Sequence, residues 1–157
     1  MILAGVRTHR KRVVVFDPLI VGHHVEYLRH LVEYVVAKRT HELHFVVHPD
    51  FEHHVPELSE RVEAHPECMM LHPLQRDEFD EMREAGLFRR GMMGWSALDR
   101  RARALGADHA VFMEMNAYQP VLGLPRARDL SYNISGILFF PYCRIEAATD
   151  RWWTRGR

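Results

Sequence analysis

The 157 residues, 47% hydrophobic and 27% charged, carry enough apolar content for one folded domain with a core, which excludes a mainly disordered chain. Lys plus Arg and Asp plus Glu both number 21, so the formal charge is zero and no global field draws nucleic acid or an anionic membrane. The opening MILAGVRTHRKR has its charges in the wrong order for a signal peptide, and no stretch approaches about 18 uninterrupted apolar residues.

Along the chain, the β-branched run VVVFD predicts a strand buried on both faces, ending at Asp17. A loop with Pro18 and Gly22 follows. Val25, Leu28, Val32 and Val35 then recur at steps of three and four, with Leu31 and Val36 widening the stripe, which predicts a helix ending near Arg39 or Thr40. LHFVVH predicts a second strand over 43–48, stopped by Pro49. Phe51, Val55, Leu58 and Val62 share one face and predict a helix that runs past Pro56. CMMLHPL, 68–74, is a third strand.

QRDEFDEMREAGLFRRGMMG mixes charged and apolar residues and is interrupted by Gly86, Gly91 and Gly94, which predicts a broken helix or a mobile loop. Its GLFRRGMMGW portion pairs Arg89 and Arg90 with large apolar side chains. A loop tucking those side chains onto the domain is preferred to a membrane-surface segment. From Trp95, the spacing of Leu98, Ala102 and Leu105 predicts a helix, with Ser96 and Asp99 as a capping box and Gly106 just past its end. AVFMEM, 110–115, is a fourth strand and ISGILFFPY, 134–142, a fifth. A polar tail containing Trp152 and Trp153 closes the chain.

Strands alternating with helices imply βαβ units. The expected fold is α/β, a Rossmann-like three-layer α/β/α sandwich with a mainly parallel sheet. The whole of 1–157 is expected to be one domain, its core over about 13–142 and a truncated or loosely packed tail over 143–157. Cys68 and Cys143 lie in separate apolar segments without a CxxC pattern and read as reduced, buried thiols of a cytosolic protein.

In an open parallel sheet ligands bind beyond the carboxyl ends of the strands. The residues there are Asp17 and 22–24 after the first strand, His48 and Asp50 after the second, Glu114, Asn116 and Tyr118 after the fourth, and Pro141 and Tyr142 after the fifth. The dinucleotide pattern G-x-G-x-x-G is not met, because His24 and Tyr27 occupy the second and third glycine positions counted from Gly22. No G-x-x-x-x-G-K-[ST] occurs either. No metal site is expected from the twelve histidines. His23 and His24 diverge by about 100° on a helix, His23 and His30 lie roughly 10 Å apart, and His44 and His48 roughly 13 Å along a strand. A histidine at a helix N-terminus is expected to stay neutral, since the dipole disfavours imidazolium, and so to serve as a base or hydroxyl partner. The competing role is a structural helix-entry residue.

The order of strand, G-H-H, a helix opening x-E-Y-L-x-x-L, a strand ending in E-M-N-x-Y and a last strand I-S-G-I-L-F-F-P-Y resembles the N-terminal, acceptor-side half of GT-B glycosyltransferases, especially bacterial enzymes related to family 4. The resemblance spans 13–142. It implies transfer of a hexose from a nucleotide-sugar donor to a glycan or lipid-linked acceptor, with no cofactor and no metal ion needed for the chemistry. It implies that Gly22 approaches the donor's sugar-phosphate, that His23 or His24 borders the reaction centre, and that Glu114, Asn116 and Tyr118 line the acceptor side. Many such enzymes have a Gly-Gly pair where this chain has Val21-Gly22. The donor-binding half with its E-x7-E motif is not within the 157 residues, so the chain alone is expected to be inactive, and a separate donor-domain subunit or a homodimer is the expected partner. The expected location is cytoplasmic, at most peripheral to the inner membrane. The alternative function is a non-catalytic doubly wound domain that binds a small phosphorylated ligand or a protein partner.

Overall fold

A computed structural model describes residues 10–123 and 130–138. Five parallel strands form one sheet in the order β3-β2-β1-β4-β5: β1 Lys11–Asp17, β2 His41–Val47, β3 Met69–Pro73, β4 His109–Phe112 and β5 Asn133–Gly136. Helices cover both faces, so the fold is the expected α/β Rossmann-like sandwich. The helices are α1 His23–Lys38, α2 Phe51–His54, α3 Pro56–Glu63, α4 Arg76–Glu84, α5 Leu87–Leu105 and α6 Gln119–Leu122.

Alternation along β1 divides the core. Val15, with Phe45 and Val47 of β2, packs against Leu28, Val32 and Val35 of α1 and against α2 and α3. Val14 and Phe16, with Val46, Ala110 and Phe112, face α4, α5 and α6 on the other side. Both faces of the central strand are therefore buried, which is why its sequence is apolar without alternation. Each such Val or Phe taken from water contributes about 1.5–3 kcal/mol.

Four local expectations are corrected. The helix predicted through Pro56 is two helices, because Pro56 has no N–H to donate and instead opens α3, with Val55 in a non-helical conformation between them at φ −135° and ψ 57°. Of the two forms expected for 75–94, a broken helix or a mobile loop, the broken helix is found, but it is interrupted at Ala85 and Gly86 alone and runs unbroken through Gly91 and Gly94 as α4 and α5. GLFRRGMMGW accordingly forms the first turns of α5 rather than a loop. Ser96 and Asp99 lie inside α5 and cap nothing; Asp99 instead accepts a hydrogen bond from the Tyr132 hydroxyl at 2.7 Å.

The glycines of α5 fit it to its neighbours. A Cβ on Gly91 would stand 2.7 Å from the Ala117 carbonyl oxygen, and one on Gly94 would fall against the Tyr118 ring. The helix propensity lost at these positions is offset by close packing onto the segment after β4. Gly106 ends α5 in the left-handed conformation at φ 60°, as expected. Cys68 is a buried free thiol. Cys143, Pro141, Tyr142, the end of the fifth predicted strand and the tail with Trp152 and Trp153 lie outside the described residues. Among the described residues no helix is long and apolar enough to cross a membrane.

Candidate functional site

The chain leaves β1 towards α1 and β2 on one side, while β4 leads to β5 on the other. The carboxyl ends of β1 and β4, which are hydrogen-bonded neighbours, thus form the topological switch point where an open α/β sheet leaves a crevice. Asp17 ends β1, and the Met113 N–H, just past β4, donates to the Phe16 carbonyl at 3.1 Å, placing Glu114 beside it.

Asp17 continues the alternation on the α1 face, and His24 begins the buried stripe that Leu28, Val32 and Val35 extend. The two side chains meet between sheet and helix. His24 Nδ1 lies 2.9 Å from Asp17 Oδ1 and 3.1 Å from Oδ2, and both residues are buried, at 5% and 1% exposure. The Leu19 N–H also donates to Asp17, at 3.3 Å, closing the loop around the carboxylate. On its far side His24 Nε2 stands 4.0 Å from Glu114 Oε2. His24 thus lies between two carboxylates contributed by two neighbouring strand ends.

That arrangement works against the expected neutral histidine. The hydrogen bond to Asp17 raises the His24 pKa above its ordinary 6.5, and the charges of Asp17 and Glu114 add to it, against the opposing effect of burial. For Asp17 burial is the largest influence and pushes the carboxyl up. The carboxylate contact at 2.9 Å outweighs the helix dipole, which is a partial charge at the same end of α1.

His23 lies outside the stripe and is exposed, its ring stacked on that of His24 with centroids 4.7 Å apart. The divergence expected of adjacent helical positions does not keep the rings apart, whose planes lie at 24° to one another. Gly22 precedes them at φ 59° and ψ −133°, a conformation essentially confined to glycine, and a Cβ there would meet nothing within 4 Å. Backbone shape rather than crowding requires this glycine.

Beside the pair opens a cavity of about 300 Å³. Asp17, Glu114, Asn116 and Tyr118 line it from the strand ends; Phe79, Met82, Arg83, Leu87 and Arg90 line it from α4 and α5. Three residues expected on the acceptor side, Glu114, Asn116 and Tyr118, are therefore brought together. Tyr118 forms the wall: its ring stacks on Phe112 with centroids 4.2 Å apart and meets the edge of Phe16 at 5.9 Å. Burial is the main reason its phenol is pushed well above the ordinary value of 10. His23 and His24 do not line this cavity; His24 reaches it through Asp17 and Glu114.

His48 and Asp50 are not part of it. The His48 ring packs edge-on against Phe79 at 4.3 Å, and Asp50 pairs with Arg76. Among the described residues no group of three or more His, Cys, Asp or Glu side chains is arranged to hold a metal ion. Asp17 was placed at the strand end by its sequence, but its partnership with His24 was missed; stepping the α1 stripe back four positions from Leu28 reaches His24 and signals it. Arg83 and Arg90 carried no such signal, since arginines populate most exposed helix faces.

Comparisons with protein-family models, curated proteins and solved structures return no match.

Proposed function

We propose that this domain is the acceptor side of a nucleotide-sugar-dependent glycosyltransferase of the GT-B type. The observation that carries the reading is the Asp17–His24–Glu114 array at the β1/β4 switch point, opening onto a cavity of acceptor size. In sugar transfer the acceptor oxygen forms a bond to the anomeric carbon, the bond from that carbon to the nucleotide diphosphate breaks, and the hydroxyl proton must be taken up. Glu114, a carboxylate on the cavity wall, is the group able to take it. His24 is a positioning residue: Asp17 fixes its ring through Nδ1, and its Nε2 faces Glu114 at 4.0 Å, where a charged ring attracts the carboxylate. Asn116 and Tyr118 orient the acceptor. The donor's diphosphate would be held by a second Rossmann-like domain from another polypeptide or from sequence beyond these residues, with Gly22 leaving room for its approach.

The test is transfer from a nucleotide sugar by the chain alone and by the chain combined with a donor-binding domain. The chain alone is expected to transfer nothing. In the combined enzyme Glu114→Gln should lower kcat by about 10²–10⁴-fold. His24→Asn, whose amide can still bond Asp17, should displace the pH profile as well as lower kcat. Undiminished transfer by Glu114→Gln, or tight nucleotide-sugar binding by the chain alone, would overturn the assignment.

A further inference from the structure

The charges around the cavity are divided by element. The acids Asp17 and Glu114 come from the strand ends, and the bases Arg83 and Arg90 come from α4 and α5, with an apolar surface of Phe79, Met82 and Leu87 between. Of the two arginines, Arg83 is paired with Asp80 at 3.3 Å, within its own helix. Arg90 is held differently. Its Nη2 donates to the backbone carbonyls of Arg83 at 2.9 Å and Ala85 at 3.1 Å, the last turn of α4 and its cap. Those bonds fix the guanidinium without neutralising it, and Arg90 shares the cavity lining with Tyr118. A fixed cation beside an apolar wall suits one kind of ligand.

We propose that the cavity binds an amphipathic anion, with an apolar body against Phe79, Met82 and Leu87 and a phosphate group on Arg90. This rests on the acceptor-side reading and narrows it: the acceptor is an apolar alcohol or glycolipid carrying a phosphate, rather than a neutral glycan. A neutral glycan would offer Arg90 no anion and would set sugar hydroxyls against the apolar wall. The acceptor hydroxyl then lies at the acidic end, near Glu114, and the phosphate at the basic end, so that neither carboxylate meets it.

The probe is phenyl phosphate, titrated against the full chain by calorimetry and by amide chemical shifts, with inorganic phosphate and phenyl β-glucoside as the two half-ligands. Phenyl phosphate should bind at least about tenfold more tightly than either, since each half supplies only one of the two contacts. Arg90→Gln should weaken phenyl phosphate about tenfold and leave phenyl β-glucoside unchanged, whereas Arg89→Gln, on a residue paired with Glu81 outside the cavity, should alter neither. Where Arg90→Gln unfolds the chain, raising the salt concentration on the unmodified protein gives the same reading, weakening phenyl phosphate but not the glucoside. Equal affinity for inorganic and phenyl phosphate, preference for the glucoside, or indifference to Arg90 and to salt would overturn the proposal. Binding is read without any donor, so loss of transfer in Glu114→Gln with phenyl phosphate binding absent sinks this inference alone. Phenyl phosphate binding with no transfer dependence on Glu114 sinks the glycosyltransferase reading, and with it the ligand's role as acceptor, but leaves the cavity's binding of an amphipathic anion standing.

Discussion

Asp17 and His24 hold each other across the first strand-to-helix loop, Nδ1 to Oδ1 at 2.9 Å, with both side chains buried. The contact ties the last residue of the central strand to the first buried turn of α1.

Asp17→Asn should lower the His24 pKa. The carboxylate raises it by accepting from Nδ1, and an amide oxygen keeps the hydrogen bond but removes the charge, leaving burial to favour the neutral ring. Imidazole proton shifts followed against pH should show a midpoint above 6.5 in the unmodified protein and a lower one in the variant. Stability follows the same sign. A folded-state value above the unfolded one means that the folded chain holds the proton longer, so this contribution is fully present below 6.5 and is lost as pH rises through the raised value. Thermal unfolding followed upward from pH 6.5 should show that loss, and Asp17→Asn should flatten it.

The opposite sign is expected at His72. Burial chiefly, then the neighbouring His44 and Arg101, lowers its pKa below 6.5. His44 Nδ1 and His72 Nε2 are 2.9 Å apart, a spacing that accommodates one shared proton but not two imidazolium rings. An unfolded His72 therefore takes up its proton before the folded one. Stability from this site is complete above 6.5 and declines as pH falls through the depressed value. Urea unfolding at pH 7 and at pH 5 should show a larger acid loss in the unmodified chain than in His72→Phe.

The sequence made the central strand and α1 legible because their signals are local: VVVF is apolar throughout, and Leu28, Val32 and Val35 repeat at helical spacing. It also placed Glu114, Asn116 and Tyr118 after a strand, and those three share the cavity. The first half of α5 was illegible because Gly91 and Gly94 oppose a helix locally, and contacts distant in sequence, with Ala117, Tyr118 and Val121, explain them. The upward pull on the His24 pKa was hidden for the same reason. The dipole is readable from position, whereas the Asp17 carboxylate acts through a tertiary contact.

Gly94→Ala should destabilise the protein although alanine is the better helix former by about 1 kcal/mol. The added methyl meets the Tyr118 ring, which cannot retreat because it is stacked on Phe112 and flanked by Phe16. Overpacking of this kind costs about 1–3 kcal/mol, so the net loss is modest but of definite sign. The discriminating comparison is made in a Tyr118→Ala background. There the ring is gone, and the same Gly94→Ala change should become neutral or stabilising in urea unfolding. Destabilisation of equal size in both backgrounds would show that the ring is not what Gly94 accommodates.

Gly22→Ala tests how much of the site depends on the loop backbone. A Cβ at Gly22 meets no neighbour within 4 Å, so no steric contact opposes the change; the cost is the conformation itself, φ 59° with ψ −133°. Holding a non-glycine residue there costs about 1–3 kcal/mol. The chain can relieve that strain only by moving the residues next to it, and two positions on stands His24. The variant should therefore lose stability and also shift the His24 titration back towards 6.5, as the distance to Asp17 grows. Loss of stability with an unchanged His24 midpoint would mean that the strain is borne in place and that Asp17 and His24 hold their contact without help from the loop.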